Sequence, residues 1–426
     1  MRPVPVAGID VSKDFSDMCI LSPDNAVFER VKIYHDKTSM ERAVKKLAHA
    51  GAVFGQRPIV VMEATGHYHR ILYRFLSQHR FSIVTINPLQ SSAIKNVSIR
   101  KIKNDQTDAY RLALAYRTQA LKANLVPSDK IENMRLLIRQ HFDLKKHICS
   151  YILRLESIVD QVFPGYREHF QRINCDTALT ILDKYPTPRQ LKRARTTTLA
   201  EMIRSTSRRS SEYCSQKAQE LKTEANKASE IALERESSSV IIRSMIAVIR
   251  ALSAEVDALD AELHRLIRSD EDISADVGLL STIPGIAEFS AAVIIAEIGD
   301  FSQFHKAKQL TSFFGLEPSV CQSGKYVGKN NTLSKRGSKY MRSVLLLIAQ
   351  VNIRHEIRKP DVYVNPVISD YYKRKCETKS KLSALCAVMH KLIHIIFAVL
   401  RDRKPYEIRT PEEHIKLMQV RSATAA

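Results

Sequence analysis

Residues 4–14, Val4-Pro-Val-Ala-Gly-Ile-Asp-Val-Ser-Lys-Asp14, decide how the chain is read. The run is mostly apolar to Ile9 and meets an acid at once, so it reads as a strand over Val4–Ile9 with Asp10 at its end. Met18–Leu21 and Val27–Ile33 are further short strands, parted by the turn signal Ser22-Pro-Asp-Asn25. Ser39–Ala50 is helical, with apolar positions at Ala43, Val44, Leu47 and Ala48. Pro58–Met62 is almost continuously apolar, like a strand buried on both faces, and it runs into Glu63. A helix over His67–Gln78 and a strand over Phe81–Ile86 follow. From Leu89 the pattern is helical and basic, and it continues through Asp105-Gln-Thr-Asp108.

That order, β-β-β-α-β-α-β-α, predicts an α/β domain of the RNase H-like type over residues 1–125. A doubly wound nucleotide-binding fold has a similar pattern, but no GxGxxG or GxxxxGK follows the first strand. The 426 residues suit two or three domains, and 44% hydrophobic with 26% charged residues describes a core-forming chain. Lys and Arg number 66 against 45 Asp and Glu, a net charge of +21. This excess excludes an ordinary neutral metabolic enzyme as the default and favours a polyanionic partner, nucleic acid before membrane. The most apolar stretches, Val344–Ile348 and Leu392–Leu400, are short of the roughly 18–20 residues that cross a bilayer, so no membrane partner is expected. No signal-peptide core opens the chain, and the seven cysteines are scattered without a CxxC. A reducing, cytoplasmic setting is expected, with neither a disulfide scaffold nor a zinc ribbon.

Residues 126–275 change character: between 130 and 275 Gly165 is the only glycine. Leu137, Leu144, Tyr151 and Ile158 recur every seven, as do His141, Ile148, Leu155 and Val162. Ile242, Ile249, Val256 and Leu263 form a later row, and Met245, Leu252, Leu259 and Leu266 its companion. The rows predict a two-stranded coiled coil that makes a dimer; the plainer alternative is an amphipathic helix packed on its own domain. A polar insert at about 186–239, rich in Arg and Ser, reads as a small helical module. Residues 276–410 form a third, mostly α region, and 411–426 a tail. In it Ile283-Pro-Gly285-Ile precedes an apolar helix, as in a helix-hairpin-helix element whose backbone N–H groups take a phosphate without reading sequence. An ordinary helix-to-helix turn fits the same residues.

Asp10 and Glu63 end strands that lie side by side in an RNase H-like sheet. Asp105 and Asp108 are three apart and share one face of the final helix. Four converging carboxylates repel one another unless divalent cations neutralise them, and oxygen ligands of this kind suit Mg²⁺ or Mn²⁺. Two such ions would serve phosphoryl transfer.

At this point the motifs become specific. Gly8-Ile-Asp-Val-Ser-Lys13, Met62-Glu-Ala-Thr-Gly66, Asn87-Pro88 and Lys103-Asn-Asp-Gln-Thr-Asp-Ala109 resemble signatures of the DEDD-type insertion-sequence transposases, relatives of the Piv-like DNA invertases. Ile283-Pro-Gly-Ile, Phe314-Gly-Leu, Gln322-Ser-Gly-Lys325, Gly328-Lys329, Ser334-Lys-Arg-Gly337 and Met341-Arg342 resemble that family's C-terminal transposase domain. The resemblance implies a Holliday-resolvase-like first domain with Asp10, Glu63, Asp105 and Asp108 as metal-holding acids, and Ser323 as a nucleophile. It implies recombination of donor and target DNA guided by a structured bridge RNA, in homotetramers assembled from homodimers, within a prokaryotic nucleoid.

Read from its residues alone, Ser323 is a loop serine flanked by Lys325 and Lys329, with Cys321, Ser334 and Ser338 as local competitors. A serine hydroxyl is a weak nucleophile until a metal or base assists it. Expected phosphate contacts are Lys95, Arg100, Lys101 and Lys103 before the DxxD helix, Gly285 in the Pro-Gly turn, and Gly324, Lys325, Lys329, Lys335, Arg336 and Arg342 around the serine. Two other functions stay open at this level: a metal-dependent nuclease that uses water, and a non-enzymatic nucleic-acid scaffold.

Overall fold

A computed structural model describes residues 4–63, 67–86, 105–118, 128–318, 322–323, 326–327, 332–410 and 412–416. The chain forms two compact units, Met1–Pro127 and Ser128–Ala426.

The first unit is a five-stranded sheet with helices on both faces. Its strands are β1 (Val6–Val11), β2 (Phe15–Leu21), β3 (Val27–Tyr34), β4 (Ile59–Glu63) and β5 (Ser82–Ile86), in the order β3-β2-β1-β4-β5. The first three strands are antiparallel, and β1, β4 and β5 are parallel. That puts β1 at the centre with β4 beside it, as the RNase H-like reading requires. Among the described residues its helices are α1 (Lys37–Phe54), α2 (His69–Gln78) and α3 (Asp105–Thr118). Alternation sorts the sheet's side chains onto two faces. Ala7, Ile9, Met18, Ile20, Val60 and Met62 pack with Met40, Ala43 and Leu47 of α1 and Leu72 and Leu76 of α2. Val6, Cys19, Leu21, Val61, Val84 and Ile86 pack with Ala109, Leu112 and Ala113 of α3.

Gly8 lies between Val6 and Asp10 on the α3 face. A Cβ built there would stand 2.0 Å from the Ala109 carbonyl oxygen and 2.7 Å from the Ala113 nitrogen. Only glycine lets helix backbone lie directly on the central strand. Arg117, in the last turn of α3, fixes the other end. Its guanidinium donates to the carbonyls of Val4, Ser22 and Pro23 and to the Asn25 side chain. Burial lowers this guanidinium's pKa, against the opposing effect of Asp24.

The second unit is helical. α4 (Asp129–Val162) runs out, and α9 (Ser238–Arg268) returns antiparallel along it. Between them lies a module of α5 (Asp176–Lys184), α6 (Pro188–Arg193), α7 (Thr196–Thr206) and α8 (Ser211–Ile231). The module core joins Phe163, Tyr166, Leu182, Leu191, Leu199 and Leu221 to Ile148, Leu155 and Val159 of α4 and Ile242 and Ile249 of α9. The heptad rows are therefore turned toward each other within one chain. Ile148, Leu155 and Val162 meet Ile242, Ile249 and Val256, all buried, and Leu144, Tyr151, Ile158, Met245 and Leu252 flank them half-buried. Of the two readings of the rows, internal packing is what these side chains do. The insert is helical, as its sequence suggested.

Beyond α9 follow α10 (Glu271–Ser281), α11 (Glu288–Ile298), α12 (Ala307–Phe313), the two-residue strands β6 (Gln322–Ser323) and β7 (Tyr326–Val327), α13 (Lys339–Asn352), α14 (Pro366–Cys376) and α15 (Lys381–Asp402). Ile131, Met134 and Ile138 of α4 and Leu263 and Ile267 of α9 belong to the same core as these helices. α15 is long and apolar enough to cross a membrane by length and composition. Here Val388, Leu392, Ile393 and Ile396 are buried in that shared core.

Candidate active site

The acid site begins with register. Ile9 of β1 pairs Met62 of β4, which brings the next residues, Asp10 and Glu63, side by side at the strand ends. Both alternate onto the face that α3 covers. Asp108 lies on α3 one residue from Ala109, the residue that contacts Gly8. Glu63 and Asp108 are buried, 8% and 5% exposed, and Asp10 is half-buried. Arg111 holds Asp108 through an Nη1–Oδ1 contact of 3.2 Å. Asp105 is the first residue of α3, three positions before Asp108.

One acid was not singled out from the sequence. Asp17 of β2 is the cross-strand partner of Asp10, and it is 6% exposed. It shares its strand face with Cys19 and Leu21, which pack on α3. Aligning 15–21 antiparallel to 6–11 would have placed it there. Two carboxylates directly opposed on neighbouring strands repel, and such a pair is unfavourable without neutralising charge. Burial pushes the neighbouring Cys19 thiol up, partly offset by Arg30, so this cysteine is no ready nucleophile.

The donor chemistry suits a hard divalent cation: carboxylates on two adjacent strand ends and one helix, with Asp17 next to them. Among the described residues no three His, Cys, Asp or Glu already stand close enough to share one ion. His69, near Glu63 in sequence, opens α2. Lys95, Arg100, Lys101 and Lys103 lie outside the described residues.

In the second unit, Ser323 is the last paired residue of a β-hairpin, with Ser323 opposite Tyr326 and Gln322 opposite Val327. Gly324, Lys325, Lys329 and Cys321 lie outside the described residues. The base of this hairpin is closed by two glycine contacts. A Cβ on Gly315 would be 2.2 Å from the Arg336 carbonyl oxygen, and one on Gly337 would be 2.2 Å from that of Phe313. The Lys335 amide donates to the Gly315 carbonyl at 3.0 Å and the Ser334 amide to that of Glu317 at 2.9 Å. So Phe313-Phe-Gly-Leu and Ser334-Lys-Arg-Gly337 are two halves of one clamp.

Arg342, expected at a phosphate, serves this clamp: its Nη1 donates to the carbonyls of Phe314 and Gly337 at 3.1 and 3.0 Å. Lys335 and Arg336 are exposed beside it. The competing hydroxyls are otherwise placed. Ser338 Oγ accepts from the Met341 amide and caps α13, while Ser334 Oγ is buried without a hydrogen-bond partner among the described residues. Gly285 takes a left-handed φ of +80° in the turn between α10 and α11. Asn352 of α13 supports that turn by donating to the Pro284 carbonyl at 2.7 Å.

Comparison with known proteins agrees with both halves. A family model described as a transposase, of the DEDD type of IS110, matches residues 7–164. A second, described as the transposase IS116/IS110/IS902 family, matches residues 277–373. The pilin gene-inverting protein of Moraxella bovis is 32% identical over 153 residues, 35% of this chain and 44% of that protein. The transposase for insertion sequence element IS1111A of Coxiella burnetii is 32% identical over 133 residues, 31% of this chain and 34% of that protein. The match thus spans less than half the length of either relative. An insertion element IS116 protein of 44.8 kDa from Streptomyces clavuligerus is 21% identical over 406 residues, 95% of this chain and 96% of that protein. With the acids on one sheet face and the serine hairpin closed by its own motifs, and with both family models matched in order, the chain belongs to the IS110/IS116 family of insertion-sequence transposases.

Proposed function

We propose that the protein is a transposase that cuts and rejoins DNA strands through a covalent phosphoserine at Ser323. The observation that carries the reading is the register of β1 and β4 under α3, which gathers Asp10, Glu63 and Asp108 on one face. Asp105 completes the set. These acids would hold Mg²⁺, with Mn²⁺ as a substitute, and the ion would supply charge neutralisation at the phosphate. Ser323 Oγ attacks the phosphodiester phosphorus. The Ser–O–P bond forms, the bond to one deoxyribose oxygen breaks, and that oxygen leaves as a hydroxyl after taking up a proton. The reverse step, with a hydroxyl of the second DNA, restores the serine and keeps the phosphodiester bond energy, so no nucleotide cofactor is required.

Lys335 and Arg336, exposed at the hairpin base, and Lys325 and Lys329 serve the DNA backbone. Lys95, Arg100, Lys101 and Lys103 do so near the acids. Donor and target DNA are selected by a structured bridge RNA, and the working assembly is a homotetramer of homodimers. The net charge of +21 supports this polyanionic company.

Trapping tests the reading. Denaturation of a reaction on end-labelled junction DNA should yield a protein–DNA adduct that Ser323→Ala abolishes. Asp10→Ala and Glu63→Ala should stop cleavage while binding persists. Cleavage by the Ser323→Ala protein would instead identify a water-using nuclease, and nucleic-acid binding with no cleavage by the wild-type protein would leave only a scaffold.

A further inference from the structure

The module between α4 and α9 carries an unassigned surface. Residues 186–211 hold seven Arg and Lys, a single acid, Glu201, and no aromatic residue. α6 and α7 both pack along α8, and a single residue, Ala194, separates Lys192 and Arg193 at the end of α6 from Arg195 at the start of α7. Lys192, Arg193, Arg195, Arg204, Arg208 and Arg209 are all exposed. Among the described residues, only Arg189 of the seven has a carboxylate within 4 Å, that of Glu234 at 3.7 Å.

The charges converge at one corner. Lys192 and Arg193 end α6, Arg195 precedes α7, and Lys222 of α8 reaches between them to donate to the Ala194 carbonyl at 2.7 Å. Arg195 offers no side-chain acceptor to the first turn of α7, so backbone donors there add to the positive field. Packing accounts for the apolar half of these helices through Leu191, Leu199 and Ile203. It does not account for six exposed cations with one acid among them.

We propose that this α6–α7 face binds the phosphate backbone of duplex DNA, holding the double helix outside the bonds that react. The inference rests on the recombination reading above for its substrate. Duplex is favoured over single strands because unstacked bases are held on aromatic faces. The stretch offers none, and the neighbouring Tyr213 and Tyr185 rings are already covered by Arg209 and Lys184.

The test uses the full-length protein and a random-sequence duplex of about 40 base pairs, with affinity measured by fluorescence anisotropy across a salt series. The variant carries Lys192→Gln, Arg193→Gln and Arg195→Gln, and leaves Lys222 in place. A charge-matched control carries Lys37→Gln, Lys45→Gln and Arg74→Gln on α1 and α2, the sheet face opposite the acids. If each lost contact removes about 0.9 from the slope of log affinity against log salt, three remove about 2.7. That is a loss on the order of 10²-fold at about 0.1 M salt, with the control staying within about twofold.

Duplex affinity and slope equal to wild type would overturn the proposal. So would loss of affinity for a structured RNA with duplex affinity retained, or a change in assembly mass that alone explains the loss. The readout is binding, so it is separable from the recombination reading, whose failure would appear as cleavage surviving Asp10→Ala.

Discussion

Replacing Gly8 by alanine adds one carbon where the central strand touches helix backbone. The new Cβ would meet the Ala109 oxygen at 2.0 Å, so strand and helix must part by about 1.4 Å to reach an ordinary 3.4 Å contact. Neither partner is a flexible side chain; both are hydrogen-bonded backbone. Overpacking of this kind costs about 1–3 kcal/mol. The same displacement moves Asp105 and Asp108 relative to Asp10, and misplacement of about 1 Å at a reacting centre costs on the order of 10²-fold in rate. Amide hydrogen exchange along β1 and α3 reads the stability of this unit apart from the helical one. Strand cleavage, assayed in parallel, reads the chemistry. Expected are faster exchange in both elements and a cleavage loss near a hundredfold, with Ser323 untouched. A Gly8→Ala protein with wild-type exchange and wild-type cleavage would refute the claim that glycine is what lets α3 deliver its acids.

Arg111→Ala removes one charged partner of the buried Asp108 carboxylate, at a cost of about 1–3 kcal/mol in the same exchange assay. Adding Asp108→Asn should recover part of that loss, and failure to do so would mean the pair is not the cause. Asp17→Asn removes charge directly across from Asp10 and should raise the divalent-cation concentration for half-maximal cleavage several-fold without abolishing turnover; an unchanged requirement would place Asp17 outside the site. In the helical module, burial and then Lys217 lower the pKa of His169 below its ordinary 6.5, against Glu224. The unfolded chain then binds the proton more readily than the folded one. The contribution is complete above about 6.5 and is lost as pH falls through the lowered value. His169→Gln should flatten that part of a stability–pH profile measured between about pH 7 and 5, and a profile unchanged by the substitution would count against it. His394, lowered by burial and then by His390 and Lys391, contributes with the same sign.

The first unit was largely legible because each of its signals is local. Apolar runs bounded by turn residues mark β1, β4 and β5, and an acid immediately after a run marks a strand end. What local pattern lacks is pairing: Asp17 sits unremarked in Phe15–Leu21 until the antiparallel register opposes it to Asp10. Heptad spacing has a similar blind spot. It states that a helix has an apolar stripe without stating which helix covers it. Here the module's fold returns α9 along α4, so the covering helix comes from the same chain. Arg342 shows the limit for cations. In sequence it belongs to a basic run, yet two carbonyls of a clamp more than twenty residues apart claim its guanidinium. Charge is visible in one dimension, but the acceptors a cation finds are not.

The α4–α9 pair has a consequence for how this chain can change over time. A helix of 34 residues is about 51 Å long, so the module rides at the far tip of a shaft whose root lies in the C-terminal core. The chain departs and re-enters side by side, with the Leu233 amide donating to the Gln161 carbonyl at 3.0 Å. The tip is therefore a cassette. Its exposed surface can change residue by residue while the side chains it buries against Ile148, Leu155, Val159, Ile242 and Ile249 keep the shaft's two halves in register.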